Sequence, residues 1–385
     1  MDRKDYENNL LLQSRRAQEV LLPVYDKLDY AALTEALPEK ELFDAQKIIM
    51  TGAGDSYCAG VACAPVFETL CHMEVRAMRA IEVSRLVNSK EFGFSPNTPL
   101  VIGVSVSGAV SRVREAMERA SFHGANTIAV TGNPDSPVGK AARHRLLVQI
   151  PDIGIAYWPG SINYSVSMLA LMKLAIRMGR AKNTISQNEA ADMDKELADY
   201  IKRFQEYLPT IEEKAFNMAL KFKDMRCLDF IGDYGDYATA FFGSAKVLEA
   251  YGGYTTYDDS EDWCHINYFL RDPETIGRVV IANPETPSFN RILETMNAIK
   301  QLESPTMVVS NADASQFPEG FDVFTTPAPK YPWMTPLMQH FVFGLVAGYI
   351  AELKGYKNFR IDCPVFQQEA VKDPARIRQS RIEII

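Results

Sequence analysis

From residue 46 onward, short apolar runs alternate with longer amphipathic stretches. This is the pattern of buried parallel strands joined by helices. Residues 48–50, 100–104, 127–130 and 146–150 are such runs, and each gives way to a Gly, Ser or Pro turn. Between them, residues 111–121 place Val113, Ala116, Met117 and Ala120 on one helical face. The pattern then recurs at 228–231, 279–282, 306–309 and 322–325. Val104 to Thr131 spans 27 residues, and so does Ala282 to Val309. An internal repeat of a βαβα unit is the economical reading.

The flanks differ in character. Residues 1–45 have helical periodicity (Leu10, Leu11 and Leu12, then Val20, Leu21 and Leu22) and carry no evident chemistry. Residues 186–222 are rich in Glu, Lys, Asp and Ala and read as a helical connector. The apolar run from Phe341 to Ala351 is too short to cross a bilayer and reads as a buried helix. The expected organisation is a helical arm over 1–45, a first α/β domain over 46–185 and a connector over 186–222. A second α/β domain over 223–350 and a charged tail over 351–385 complete it.

Bulk properties narrow the partners. The chain has 385 residues, 47% hydrophobic and 23% charged, as in a globular protein of two domains. Its net charge of −8 disfavours nucleic acid and anionic membranes as partners. No signal peptide is visible at the charged N-terminus, so a cytoplasmic location is expected. The six cysteines show no metal-binding spacing and are expected to be reduced. No metal or organic cofactor is expected, and His72, His123, His144 and His340 are scattered.

The chemistry-bearing motifs sit where strands pass into helices. Gly52-Ala53-Gly54-Asp55-Ser56 follows the first run, and Ser105-Val106-Ser107-Gly108 follows the second. Two hydroxyl-bearing turns at helix N-termini offer hydroxyl and amide donors to one anion. A small phosphorylated metabolite suits them better than a nucleotide. Tyr57 replaces the third glycine of a dinucleotide fingerprint, and no P-loop is present. The competing reading is that these serines only cap helices. The second repeat has Asn283-Pro284-Glu285-Thr286 in place of the Ser-x-Ser-Gly turn, so the anion site is expected in the first.

These residues resemble the sugar isomerase (SIS) phosphosugar-binding family, with two SIS domains in tandem. The layout is similar to the isomerase half of glucosamine-6-phosphate synthase and to bacterial deglycases of 6-phosphorylated Amadori compounds. The resemblance implies two SIS-type αβα sandwich domains around parallel sheets. It implies Gly54, Ser56, Ser105, Ser107 and Gly108 as phosphate ligands. Val110 stands where the family carries a hydroxyl, and Ser111 is its expected substitute. In the second repeat, Lys246 stands three residues before Glu249 and His265 stands 16 after it, spacings that match the synthase. By resemblance Glu249 is the catalytic base, Lys246 its support and His265 the acid, either for ring opening or for carrying a proton to O2.

A carboxylate over C1 and C2 of an open-chain sugar can carry the proton between them. The competing reading of Glu249 is a surface ion pair with Lys246. His265 lies among Asp258, Asp259, Glu261 and Asp262, which favour its charged form. The family also implies an active site shared across a homodimer or higher homo-oligomer. The tail 373–381 lacks the lysine the synthase carries, and no glutaminase domain precedes the repeats. The expectation is a deglycase that converts fructosyl-amine 6-phosphates to glucose 6-phosphate and a free amine. An aldose–ketose isomerase or amino-sugar-phosphate deaminase is the alternative within enzymes. A non-catalytic phosphosugar sensor is the alternative outside them.

Overall fold

The sixth residue of the first strand is a glycine because the next helix folds back onto it. A Cβ on Gly52 would lie 2.6 Å from the Ser56 carbonyl carbon. That close return begins a β–α–β unit, which a computed structural model describes over residues 3–93, 99–368 and 378–385. The described residues form two α/β units. One holds residues 19–153, 163–198 and 378–385, and the other holds 3–18, 154–162 and 199–368.

The first unit contains strands β1 (Lys47–Gly52), β2 (Glu74–Arg79), β3 (Leu100–Val104), β4 (Asn126–Thr131) and β5 (His144–Leu147). They form an all-parallel sheet in the order β2-β1-β3-β4-β5. Strands β1, β3 and β4 are almost wholly buried, as apolar parallel strands covered on both faces must be. Ile49, Val101 and Ala129 pack with Val113, Ala116 and Met117 of the helix Ser111–Phe122. Gly60 of the helix Asp55–Cys71 lies instead against Met50 and Ala77. Ile49 and Met50 point to opposite faces, so the sheet has a helix layer on each side.

The second unit repeats this plan with β6 (Cys227–Ile231), β7 (Tyr254–Asp258), β8 (Ile276–Ile281), β9 (Thr306–Ser310) and β10 (Asp322–Thr325). Its parallel order is β7-β6-β8-β9-β10. The helix Phe289–Gln301 packs Ile292, Met296 and Ile299 on the face of Val280 and Val308. On the other face, Gly243 of the helix Gly235–Tyr251 meets Phe230 and Phe343. Phe343 belongs to the helix Phe341–Lys354. The 18-residue window of Pro332–Lys354 apolar enough for a membrane is wholly buried inside the fold.

Residues 1–45 contain the helices Asn9–Arg15, Ala17–Lys27, Tyr30–Ala36 and Glu39–Asp44, split between the units at residue 18. Residues 186–222 are one helix, Gln187–Phe222. The stretch 373–377 of the tail lies outside the described residues.

Candidate functional site

In each sheet the chain order reverses once. Strand β1 leads left to β2 while its other neighbour, β3, leads right to β4. The crevice at such a switch point, beyond the carboxyl ends of the strands, is where open α/β sheets bind ligands. The loops after β1 and β3 flank it, so the fold brings Gly54, Ser56, Ser105, Ser107, Gly108 and Ser111 to one edge of the first sheet.

Their states differ. Ser105 is 2% exposed, and its Oγ has no hydrogen-bond partner among the described residues. Thr51, at the end of β1, is also buried with an unpartnered Oγ1. Two orphaned hydroxyls at a switch point fit a ligand that accepts from them, since unmet buried polar groups are costly. Thr51 is absent from the sequence motifs, and its signal is a hydroxyl one residue before the glycine turn. Ser107 is exposed, and its Oγ accepts from the Ala109 amide at 3.4 Å. The Gly108 N–H donates to the Ser105 carbonyl at 2.9 Å, so in this structure it closes the turn rather than facing a ligand. Gly108 sits at φ +66°, and a Cβ there would lie 2.0 Å from Ser136 Oγ. Ser111 opens its helix, and its Oγ accepts the Ser380 amide at 3.2 Å. The Arg79 guanidinium lies 4.9 Å from the Tyr57 ring centre, and Arg79 is the register partner of Gly52. That places a cation at the same sheet edge, outside the glycine and serine motifs.

At the second switch point a buried carboxylate joins the two loops. Asp236 is fully buried and accepts from Asn283 Nδ2 at 2.6 Å and from Thr286 Oγ1 at 3.0 Å. Its carboxylate also accepts the Asn283 amide at 3.3 Å. Burial raises its pKa to about 7, against the lowering effect of the Asn283 and Thr286 hydrogen bonds. Asp236 stands two residues after the turn residue Tyr234, as Ser56 stands two after Gly54. A buried carboxylate of the chain thus ties the loop after β8 to the start of the helix after β6.

Glu249 and Lys246 lie in the last turns of the helix Gly235–Tyr251, which Gly252 closes in the left-handed conformation at φ +71°. Lys246 is fully buried, not on an exposed face. Its ammonium bonds the Glu249 carboxylate and the Gly160 carbonyl, the latter at 3.1 Å, and lies 4.7 Å from the Phe242 ring centre. Glu249 keeps 29% side-chain exposure. A buried cation therefore holds a carboxylate that still reaches solvent.

His265 ends the short helix Ser260–His265, with its side chain 67% exposed and Nε2 3.1 Å from Glu261 Oε1. Glu261 also accepts from Arg291 at 2.6 Å, and these two partners hold its pKa low. Asp259 caps this helix by accepting the Glu261 and Asp262 amides. Strand β7 separates Glu249 from His265: the helix ends at its start, and His265 follows its end. Five residues of strand span about 16 Å. One chain does not bring Glu249 and His265 together.

Two parallel αβα units, one with buried hydroxyls at its switch point, define a doubly wound α/β protein. Residues 41–178 match the SIS domain model. It is 25% identical over 338 residues to the glutamine–fructose-6-phosphate aminotransferase of Thermotoga maritima, covering 86% of this chain and 52% of that protein. The enzyme of the same name from Halobacterium salinarum is 25% identical over 327 residues, covering 83% and 51%. The chain spans about half the length of these curated relatives. Among solved structures, it is similar to the C-terminal domain of glucosamine-fructose-6-phosphate aminotransferase from Francisella tularensis. That match has a TM-score of 0.79 at 15% identity and covers 92% of this chain and 98% of the other. Tagatose-6-phosphate ketose/aldose isomerase from Escherichia coli matches with a TM-score of 0.68 at 16% identity, covering 91% and 93%.

Proposed function

We propose that this chain is an enzyme that moves a proton between C1 and C2 of a ring-opened 6-phosphosugar, with a fructosyl-amine 6-phosphate as substrate. The observation that carries the reading is the Lys246–Glu249 pair: a fully buried ammonium bound to a partly exposed carboxylate. The relatives named for fructose-6-phosphate amination and tagatose-6-phosphate isomerisation support the phosphosugar class. The orphaned hydroxyls of Thr51 and Ser105 would accept the anionic end of the substrate at the first switch point. Ser56, Ser107 and Ser111 would complete that end.

In this scheme Glu249 takes the C1 proton of the open-chain ketosamine, and the electron pair moves to give the enaminol. The proton returns at C2, which yields the aldose imine. Water then releases glucose 6-phosphate and the amine. The C2 carbonyl of the open-chain substrate acidifies the adjacent C1 proton and takes up its electron pair, so the scheme calls for no cofactor. The acidic loop around His265 (Asp258, Asp259 and Asp262) would favour an amino-bearing aglycone. His265 would assist ring opening from a second copy of the chain in a homodimer or higher oligomer.

The test is glucose 6-phosphate release from a panel of 6-phosphorylated fructosyl-amino acids and fructosyl-amines, with wild type and Glu249→Gln in parallel. Release by wild type alone supports the deglycase. Interconversion of ketose and aldose 6-phosphates without amine release moves the assignment to the isomerase. Phosphosugar binding without turnover leaves the sensor.

A further inference from the structure

The unit that holds the first sheet has a cavity of about 410 Å³ between the helices Ala17–Lys27, Tyr30–Ala36, Ile162–Ala181 and the start of Gln187–Phe222. None of its lining residues belongs to the switch-point loops. One wall carries Lys173, Arg177 and Arg180, and the others carry Asp26, Asp29 and Asp194. Lys173 and Asp194 satisfy each other at 2.8 Å, and the Tyr25 hydroxyl donates to Asp194 at 2.7 Å. That leaves two cations facing two carboxylates, one of which, Asp29, already caps the helix Tyr30–Ala36.

Arg177 is 5% exposed. Its Nη1 donates to the Leu37 carbonyl at 2.6 Å, while Nε and Nη2 are buried and make no hydrogen bond of good geometry among the described residues. Those two nitrogens form the edge of a guanidinium that grips a carboxylate with two parallel hydrogen bonds. Burial pulls the Arg177 pKa down, opposed by the nearby Tyr30 hydroxyl and Glu39. The Tyr30 ring centre is 5.7 Å from the guanidinium carbon, and Tyr30 is 57% exposed, so its side chain can swing aside. Leu33, Ile176, Ala190 and Ala191 supply an apolar floor.

We propose that this cavity binds a small zwitterion, an α-amino acid with an apolar side chain. Its carboxylate takes the Nε and Nη2 edge of Arg177 with help from Arg180, its ammonium faces Asp26, and its side chain lies on the apolar floor. The balance of two cations and two carboxylates matches a ligand with both charges, which an inorganic anion lacks. The site stands apart from the proposed reaction and does not depend on it.

The experiment is calorimetric titration of the full chain with L-leucine and L-phenylalanine, beside 4-methylpentanoate, isoamylamine and inorganic phosphate. The expected result is saturable binding of an amino acid with Kd at or below about 1 mM, and at least about tenfold weaker binding of each single-headed analogue. Asp26→Asn and Arg180→Gln, at accessible positions, should each weaken it by about tenfold or more with unchanged melting temperature. Absence of saturable binding overturns the proposal. So does binding that both variants leave intact, or tighter binding of phosphate than of either amino acid.

Discussion

Gly54 and Tyr234 adopt one backbone conformation, φ 56° and ψ −127° in the first and φ 55° and ψ −120° in the second. Each opens the helix that follows the first strand of its sheet, β1 or β6. Only glycine reaches this region without strain. A Cβ on Gly54 would meet nothing within 4 Å, so Gly54→Ala isolates the backbone cost. It should lower stability by about 1–3 kcal/mol in urea unfolding. Tyr234→Gly should cost less than about 1 kcal/mol or stabilise, because strain relief offsets the added freedom of the unfolded chain. Equal losses at both positions would show that Tyr234 is held without strain.

Ser105 separates a ligand-binding role from a structural one. Its buried Oγ has no hydrogen-bond partner among the described residues, so Ser105→Ala should leave melting temperature unchanged or slightly raised. The same change should weaken fructose 6-phosphate binding about tenfold or more, the worth of a hydrogen bond to a charged group. A variant that melts lower yet binds normally would mark Ser105 as a packing residue.

How much of this was legible in the sequence follows from burial. Strands β1, β3, β4, β8 and β9 are buried along their length, so their apolar runs announced them. Strands β2 and β7 sit at or near sheet edges, expose part of Glu-Val-Arg-Ala-Met-Arg and Tyr-Thr-Thr-Tyr-Asp, and left no apolar run to read. The Gly and Ser turns were visible because strand–helix junctions require them. The orphaned Thr51 hydroxyl was not, since nothing local tells a capping hydroxyl from an idle one. The Asp236 tie was equally hidden, because Asn283 and Thr286 lie 47 and 50 residues away and only the β6–β8 pairing unites them. The spacing placed Lys246 and Glu249 on one helix face, but only the packing around Phe242 and Gly160 shows that Lys246 is buried.

Two buried groups of the second unit should oppose each other in acid. His340 is fully buried beside Phe242, its Nδ1–H donating to the Pro336 carbonyl at 3.0 Å, and burial lowers its pKa to about 3. Between that value and its unfolded pKa of about 6.5, the unfolded chain binds the extra proton, so this histidine makes stability rise with pH. Asp236, raised to about 7, has the reverse linkage. Between its unfolded pKa of about 3.9 and its folded one, the folded chain binds the extra proton, so stability falls as pH rises. Over about pH 4 to 6.5 the two slopes largely cancel, each bounded by about 1.4 kcal/mol per pH unit. Asp236→Asn should therefore leave a stability that climbs more steeply from pH 4 to 6.5, as followed by urea unfolding at fixed pH values. A profile that flattens instead would show Asp236 ionised in the folded state.

The separation of Glu249 and His265 by the length of β7 makes a prediction about copies of the chain. If both residues act in one reaction, each site must combine Glu249 of one copy with His265 of another. Glu249→Gln and His265→Asn should each lose about 10²–10⁴-fold in kcat when purified alone, as removal of a general base or acid does. Co-expressed with different affinity tags and purified through both, the two variants form hybrid oligomers. A hybrid contains one site with both native residues, so activity should return, and the recovered KM should match wild type. Neither residue lies in the core, with Glu249 29% and His265 67% exposed at the side chain, so loss of folding should not confuse the result. Hybrids that assemble, as weighed by native mass spectrometry, but stay inactive would mean that His265 does not complete the Glu249 site. The pair with Glu261 at 3.1 Å would then be the whole of its role.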